Sequence, residues 1–508
     1  MTTDQLSLWV LVSVAVVIAG VIAVRVSARS GMPGLLLYIG IGLLIGESGF
    51  GIQFGNAELA FNVATLLLAL LLIDGGFTTS WRSVRSVVAP AGLMATLGVL
   101  VSVAVTASIT WLLLGVEPRV AILLAAMVSS TDAAATFSIL RKLPIRAKTR
   151  SMLEAESGFN DPLAIILVIV VSSDAWETAT VATLLGSALY QLVVGAVLGL
   201  LLAAIGEFLL ARISLPASGL YPIATLSIAL AGFAITGIAG GSGLLAAYVI
   251  GLWLGNRPLP HKRTTLGFTE AIGYLSQIVL FVMLGLLASP SQLWVAALPA
   301  LVIGSVLTFV ARPFSVLVCL SPFRVRIPEQ AFISWAGLRG AVPIVLAMVP
   351  LTHGLPGASQ MFHIIFLLVV FFTIVQGPLL PFVAKVTGVT VKLSPHEIAF
   401  DSAPMEGIKA SLVQFQVPEE SQLIGMHVDE LRMPRGAQLT MLIRKGEVLI
   451  PEATQRLREG DQLLFAVRDQ LLERIEARLV ALSEKGRLAR WKMTPEAWQE
   501  VYGPRDTE

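Results

Sequence analysis

Charge is what this sequence has least of. Asp, Glu, Lys and Arg make up 13% of its 508 residues while 56% are hydrophobic, against a charged fraction of about a quarter in soluble domains. An ordinary water-soluble protein is thereby excluded. Cysteine is almost absent: Cys319 stands alone, so no internal disulfide can form. The opening MTTDQ lacks the basic residues of a secretory signal, and the first hydrophobic run therefore reads as a retained membrane span. Net charge is only +2, and the basic residues are scattered over short loops, which argues against a nucleic-acid partner. No HExxH or GxSxG falls in an apolar run, which argues against a membrane hydrolase or any other enzyme. No repeated TVGYG-like filter marks a potassium channel.

What the chain does have is a long series of apolar runs between Leu6 and Phe382, many at or above the roughly 18 residues that make a span candidate. The expected fold is an all-α polytopic membrane protein with about thirteen transmembrane helices. They fall near 6–26, 33–50, 58–74, 87–114, 119–140, 155–172, 179–211, 220–239, 242–255, 268–288, 292–320, 329–350 and 360–384. Alternate connections are basic: Arg25 and Arg29, Arg82 and Arg85, Arg141 to Arg150, Arg212, Arg257 to Arg263, Arg312 to Arg326, then Lys385 and Lys392. The intervening ones are poor in Lys and Arg. By the positive-inside rule the basic set is cytoplasmic, which puts the N-terminus outside, on the periplasmic face of a cell (inner) membrane, and everything after Lys385 inside.

Beyond about residue 395 the composition turns soluble. Ser411 to Val417, Gln438 to Ile443, Glu447 to Ile450 and Gln462 to Val467 read as strands, with a hairpin turn at Arg444-Lys445-Gly446. Asp469 to Leu482 has helical periodicity. The chain thus divides into a transmembrane domain over 1–390, a small cytoplasmic α+β domain over 400–485, and a polar tail over 486–508 with Trp491 and Trp498 as anchors.

Polar groups inside the apolar runs carry the functional signal. The fifth run holds Ser129-Ser130-Thr131-Asp132-Ala133-Ala134-Ala135-Thr136. Small residues there serve helix packing, but an acid in a span costs about 2.5–3.5 kcal/mol and is usually functional. The sixth holds Glu156-Ser157-Gly158-Phe159-Asn160-Asp161, with Glu156 one turn from Asn160 and Ser157 one turn from Asp161. At 1.5 Å per residue Asp132 and Asp161 both come out near mid-membrane, about 20 Å and about 14 Å along antiparallel neighbours. The twelfth holds Gly337-Leu338-Arg339-Gly340-Ala341-Val342-Pro343, whose glycines and proline interrupt a helix. Arg339 is too deep to snorkel and should face an acid, Glu156 or Asp161. Interrupted spans at positions five and twelve suggest inverted repeats, each with one broken helix, and hence a secondary transporter with its site at the repeat interface. Asp74, ending the third run, is a possible entry-path residue or simply a solvated helix end.

Thr131-Asp132, Glu156-Ser157-x-x-Asn160-Asp161 and Gly337-Leu338-Arg339-Gly340, in this order, resemble the NhaP-type monovalent cation/proton antiporters over roughly residues 6–385. The resemblance implies a thirteen-span fold, two crossed broken helices and a homodimer. It implies that Asp161 alternately holds cation and proton, and that Thr131, Asp132 and Ser157 help coordinate the monovalent cation. Glu156 and Arg339 would form a buried supporting pair. Asn160 stands where electrogenic relatives carry a second aspartate, which implies one-for-one, electroneutral exchange. Asp74 matches less securely an acid that some relatives use. Gln414 to about Leu482 resembles the TrkA-C (RCK-C) regulatory domain through Pro418-Glu419-Glu420-Ser421, Leu423-Ile424-Gly425, Glu430-Leu431, Pro434-Arg435-Gly436 and Leu457-Arg458-Glu459-Gly460-Asp461.

The combination resembles the potassium/proton antiporters of the NhaP and CvrA group, without the CorC-type domain many of them carry. The expected function is therefore exchange of K+ for protons in cation and pH homeostasis. A Na+(Li+)/H+ antiporter is the alternative, and an RCK-regulated cation channel the alternative of another class. No cofactor is expected, and the regulatory ligand of the TrkA-C-like domain is unknown.

Overall fold

The structure, a computed structural model, describes residues 3–30, 33–47, 49, 51, 56–131, 145–173, 176, 180–390, 401–404, 410–418, 421–434, 436–444, 447–468 and 471–486. Trp491 and Trp498 lie outside these residues. The chain separates into two compact units, Met1–Thr390 and Val391–Glu508.

Among the described residues the first unit is built of helices. In order come α1 (Thr3–Ser30), α2 (Gly34–Ile45), α3 (Ala57–Thr78), α4 (Val88–Leu114), α5 (Pro118–Met127), α6 (Ala147–Ser172), α7 (Val181–Arg212), α8 (Leu220–Ile238) and α9 (Gly243–Gly255). They are followed by α10 (Lys262–Leu287), α11 (Pro290–Phe323), α12 (Ile327–Ala336), α13 (Ala341–Thr352) and α14 (Ala358–Val386). Side chains cap several of the starts: Asn56 accepts from Leu59 N at 2.9 Å and Ser242 from Leu245 N at 3.3 Å.

Among the described residues nine helices are long and apolar enough to cross a membrane, or ten if α12 and α13 form one bent span. The other three expected places hold the shorter apolar helices α2, α5 and α9, of 12, 10 and 13 residues. At 1.5 Å per residue these fall well short of a core about 30 Å thick, so helix length alone does not give the expected count of thirteen.

The surface of this unit is apolar where a soluble protein's is polar. On α7, Leu189, Val193, Val197 and Leu201 recur every fourth residue and are all more than half exposed. Inside, small residues let backbones touch. A Cβ on Gly251 of α9 would stand 2.5 Å from the Ile73 carbonyl oxygen of α3, Gly255 meets the Phe77 carbonyl, and Gly76 meets the Tyr248 carbonyl.

Two interruptions organise the interior. Helices α12 and α13 are bent by 52° across Gly337–Gly340, where φ and ψ leave the helical region at both glycines. Helix α5 ends at Met127 and Val128–Thr131 continue without helix; residues 132–140 of the expected fifth span lie outside the described residues. At the first of these, Gly337, Gly340 and Pro343 withdraw donors and side-chain packing from the helical ladder.

The second unit is a five-stranded antiparallel sheet in the order β1-β2-β5-β3-β4, with β1 Asp401–Pro404, β2 Ala410–Gln416, β3 Ala437–Arg444, β4 Glu447–Leu449 and β5 Gln462–Arg468. Helix α15 (Leu472–Lys485) contributes Ile475, Leu479 and Leu482 to a core with Val413, Phe415, Leu463 and Phe465. Alternation along β5, with Leu463, Phe465 and Val467 buried, is the half-buried strand pattern that the sequence shows. Strand β1 and a 3-10 turn at Val428–Leu431 had no clear sequence signal.

Candidate functional site

Helices α5 and α6 run antiparallel, and Arg119 pins one end of the pair. From the first turn of α5 its guanidinium donates to the carbonyls of Val171 (3.0 Å), Ser172 (3.2 Å) and Ser173 (3.0 Å) at the close of α6. Counting from that pin at 1.5 Å per residue, α5 runs about 12 Å to its end at Met127, four residues before Thr131, and Asp161 lies about 17 Å along α6. The two segments therefore meet near the middle of the unit.

There the side chains interlock. Ser130 Oγ donates to Asp161 Oδ1 at 2.5 Å. Asn160 Nδ2 donates to Thr131 Oγ1 at 2.7 Å, and Thr131 Oγ1 is 2.9 Å from Ser157 Oγ. Ser130, Thr131, Ser157, Asn160 and Asp161 are all buried, none more than 4% exposed. Asn160 commits its amide nitrogen to Thr131, while its Oδ1 is buried with no hydrogen-bond partner among the described residues. Pro162 follows directly and has no N–H to close on the Gly158 carbonyl, which keeps backbone polarity beside Asp161. The result is one carboxylate ringed by neutral oxygens, a hard donor set of the kind that takes alkali or alkaline-earth cations. No group of three His, Cys, Asp or Glu that could hold a metal ion occurs among the described residues.

The arginines depart from the sequence expectation. Glu156 does not pair with Arg339. Both of its oxygens are taken by Arg312, Nη1 to Oε1 at 2.5 Å and Nη2 to Oε2 at 2.8 Å, a bidentate pair buried at 5% and 1% exposure. Arg339 instead donates from Nη1 to the carbonyls of Ser129 (2.8 Å) and Ser130 (2.6 Å), and its own carbonyl accepts from Thr373 Oγ1 at 3.0 Å. The physical reason lies in the breaks. Helix α5 stops at Met127, and the buried guanidinium satisfies the Ser129 and Ser130 carbonyls that follow it. Glu156 faces the other way, toward α11, where a π-turn at Leu307–Ala311 immediately precedes Arg312. Gly337 makes room: a Cβ there would come within 2.9 Å of Arg312 Nε.

The remaining candidates sort as follows. Asp132 lies outside the described residues. Asp74 stands on α3 with its carboxylate against Gly273 of α10, where a Cβ would be 2.6 Å from Oδ2. Glu207 pairs with Arg257 at 3.2 Å and also accepts from Trp253 Nε1 at 2.7 Å. Two residues escaped sequence reasoning. Ser130 was read only as a small packing residue. Arg312 was counted with a basic loop, although it sits inside the apolar run 292–320, and a charge within a span is itself the signal that should have singled it out.

Comparison with known proteins bears on the family and the fold. The family described as sodium/hydrogen exchanger, transmembrane, matches residues 12–386, and the TrkA-C domain matches residues 412–480. The K(+)/H(+) antiporter NhaP of Alkalimonas amylolytica is 36% identical over 478 residues, covering 92% of this chain and 81% of that protein. The K(+)/H(+) antiporter NhaP2 of Shewanella sp. (strain ANA-3) is 34% identical over 484 residues, 93% of this chain and 83% of that protein. Among solved structures, the sodium proton antiporter MjNhaP1 from Methanocaldococcus jannaschii at pH 8 shares the fold of the membrane unit. Its TM-score is 0.66 at 21% identity, over 75% of this chain and 99% of that one.

Proposed function

The chain belongs to the sodium/hydrogen exchanger family of membrane transporters, and from that premise we propose that it exchanges K+ for protons through Asp161. The relatives that match over more than nine-tenths of this chain carry the K(+)/H(+) name, which supports potassium over sodium. The observation that carries the mechanism is the buried carboxylate of Asp161 among the neutral oxygens of Ser130, Thr131, Ser157 and Asn160. Deprotonated, Asp161 gives a cation a counter-charge and those oxygens replace water; protonated, it gives up both. Cation and proton then compete for one place, and a site that crosses only when loaded exchanges one for the other. Asp132 and Thr131 join the coordination, Asp74 lies on the way in, and the Glu156–Arg312 pair holds α6 in register behind the site.

Asn160 in place of an acid leaves one exchangeable charge at the pair, so exchange is one for one and electroneutral. The chain sits in the inner membrane as a homodimer with the N-terminus outside and the TrkA-C-like unit in the cytoplasm, as the alternation of basic connections supports. Its role is cation and pH homeostasis. Everted vesicles assayed with potassium, sodium, lithium and rubidium across pH test the reading. Potassium should drive the largest coupled proton movement, with apparent affinity rising as pH rises. Sodium or lithium acting alone would reassign the cation, and current without coupled pH change would point to a channel.

A further inference from the structure

Tyr248, on α9, is 3% exposed and reaches across to the site helix. Its ring rests on Gly158 of α6: a Cβ there would stand 2.5 Å from Cζ, 2.7 Å from Cε2 and 2.8 Å from Oη. Phe159 closes on the same ring edge-on, with centroids 5.8 Å apart at 83°. Gly158 is three residues before Asp161 and four after Glu154. The phenol therefore lies on the face of α6 that runs from one carboxylate to the other. Helix α9 cannot easily withdraw, because its backbone is locked to α3 through Gly76, Gly251 and Gly255.

The hydroxyl is the unexplained part. Tyr248 Oη is buried and makes no hydrogen bond of acceptable geometry among the described residues. Thr79 is near it, but no contact between the two hydroxyls has hydrogen-bond geometry, and the Thr79 hydroxyl donates instead to the Gly75 carbonyl at 2.6 Å. Packing alone would be served as well by phenylalanine, without the desolvation penalty of an unmatched hydroxyl. A polar group held at such a penalty, beside the carboxylate that takes the cargo, is matched in another step of the cycle.

We propose that Tyr248 is a cation contact on the path to Asp161: its hydroxyl oxygen meets the incoming monovalent cation before the carboxylate takes it, while the ring on Gly158 holds that oxygen over the approach. This rests on the exchange reading above.

The test is Tyr248→Phe in the purified full-length protein, reconstituted in proteoliposomes. Initial rates of proton movement are read against K+ concentration, beside Asp161→Asn and a thermal melt of each variant. Loss of a hydrogen-bonding group that faces a charge should raise the apparent KM for K+ roughly tenfold. Maximal rate should stay close to wild type, and the melting temperature should be unchanged or higher because an unmatched group is gone. An unchanged KM overturns the inference, and so does a fall confined to maximal rate. A raised KM with a lowered melting temperature also overturns it, since the hydroxyl would then be structural. Asp161→Asn separates the two levels. Exchange abolished there but untouched in Tyr248→Phe removes only the tyrosine's role. A wild-type protein that exchanges nothing removes the exchange reading and this inference with it.

Discussion

Arg312 and Arg339 are both buried, but they do different work. Arg312 neutralises Glu156 with two hydrogen bonds, while Arg339 donates to the Ser129 and Ser130 carbonyls just past the end of α5. Removing the first strands a buried carboxylate; among the described residues, removing the second strands neutral carbonyl oxygens and takes a buried charge away. Arg312→Ala should therefore cost about 3–5 kcal/mol of stability, and Arg339→Ala about 1–3 kcal/mol. Thermal or denaturant melts of the purified variants check the order, and a reversed order would restore the Glu156–Arg339 pairing. The sequence made Asp161 visible because an acid in an apolar run is costly wherever it points. It did not reveal the partner of Glu156. Distance along a helix sets depth, whereas pairing depends on which way each helix is turned and on a π-turn that shifts Arg312 by a fraction of a turn. Ser130 was hidden for a related reason: a serine in a span serves packing as readily as coordination.

At the scale of elements, the site depends on places where helices stop or touch. Apolar run lengths locate the helices well, since the hydrophobic requirement acts on every residue of a span. They do not show how short α2 is, because the run continues past Ile45 into residues that are not helical, whereas for α9 the run 242–255 is itself as short as the helix. The interrupted twelfth span was legible from its glycines and proline; the 52° bend across it was not, since an angle is set by what packs on either side. Contact between α3 and α9 is the element-level feature most exposed to a point change. A methyl at Gly251 meets the Ile73 carbonyl, which is backbone and cannot rotate aside. Gly251→Ala should lower stability by about 1–3 kcal/mol through overpacking and lower the melting temperature. Gly237→Ala, where a Cβ meets nothing within 4 Å, should leave it nearly unchanged and serves as the control.

At the scale of the whole molecule, a transporter unit is followed by a small soluble unit with its own core. The strands of that unit were readable because one face of each is buried and the alternation survives in the sequence. Its buried anchor was not: Asp461, read as part of a turn, is 1% exposed and is held bidentately by Arg444 at 2.8 and 2.7 Å and by Arg458 N at 2.8 Å. Arg444→Ala should cost that unit roughly 1.5–3 kcal/mol, seen as an earlier melting step. The hydrogen bond to Asp461 raises the Arg444 pKa further above its ordinary value. Stability from a raised base is complete below the ordinary pKa and fades only above it, so this contribution should stay constant across any pH at which exchange is assayed. One exchangeable charge at Asn160–Asp161 makes a further prediction for the molecule as a whole. An imposed membrane potential should leave the exchange rate in proteoliposomes unchanged, and a rate that follows the potential would show net charge movement.

The most direct test of the central claim is coupled proton movement on a K+ pulse into proteoliposomes carrying wild type or Asp161→Asn, read with an internal pH dye. Wild type should move protons with an apparent K+ affinity that rises with pH, and Asp161→Asn, folded and inserted to the same level, should move none. Exchange by Asp161→Asn at the wild-type rate would contradict the assignment of Asp161 as the shared cation and proton site.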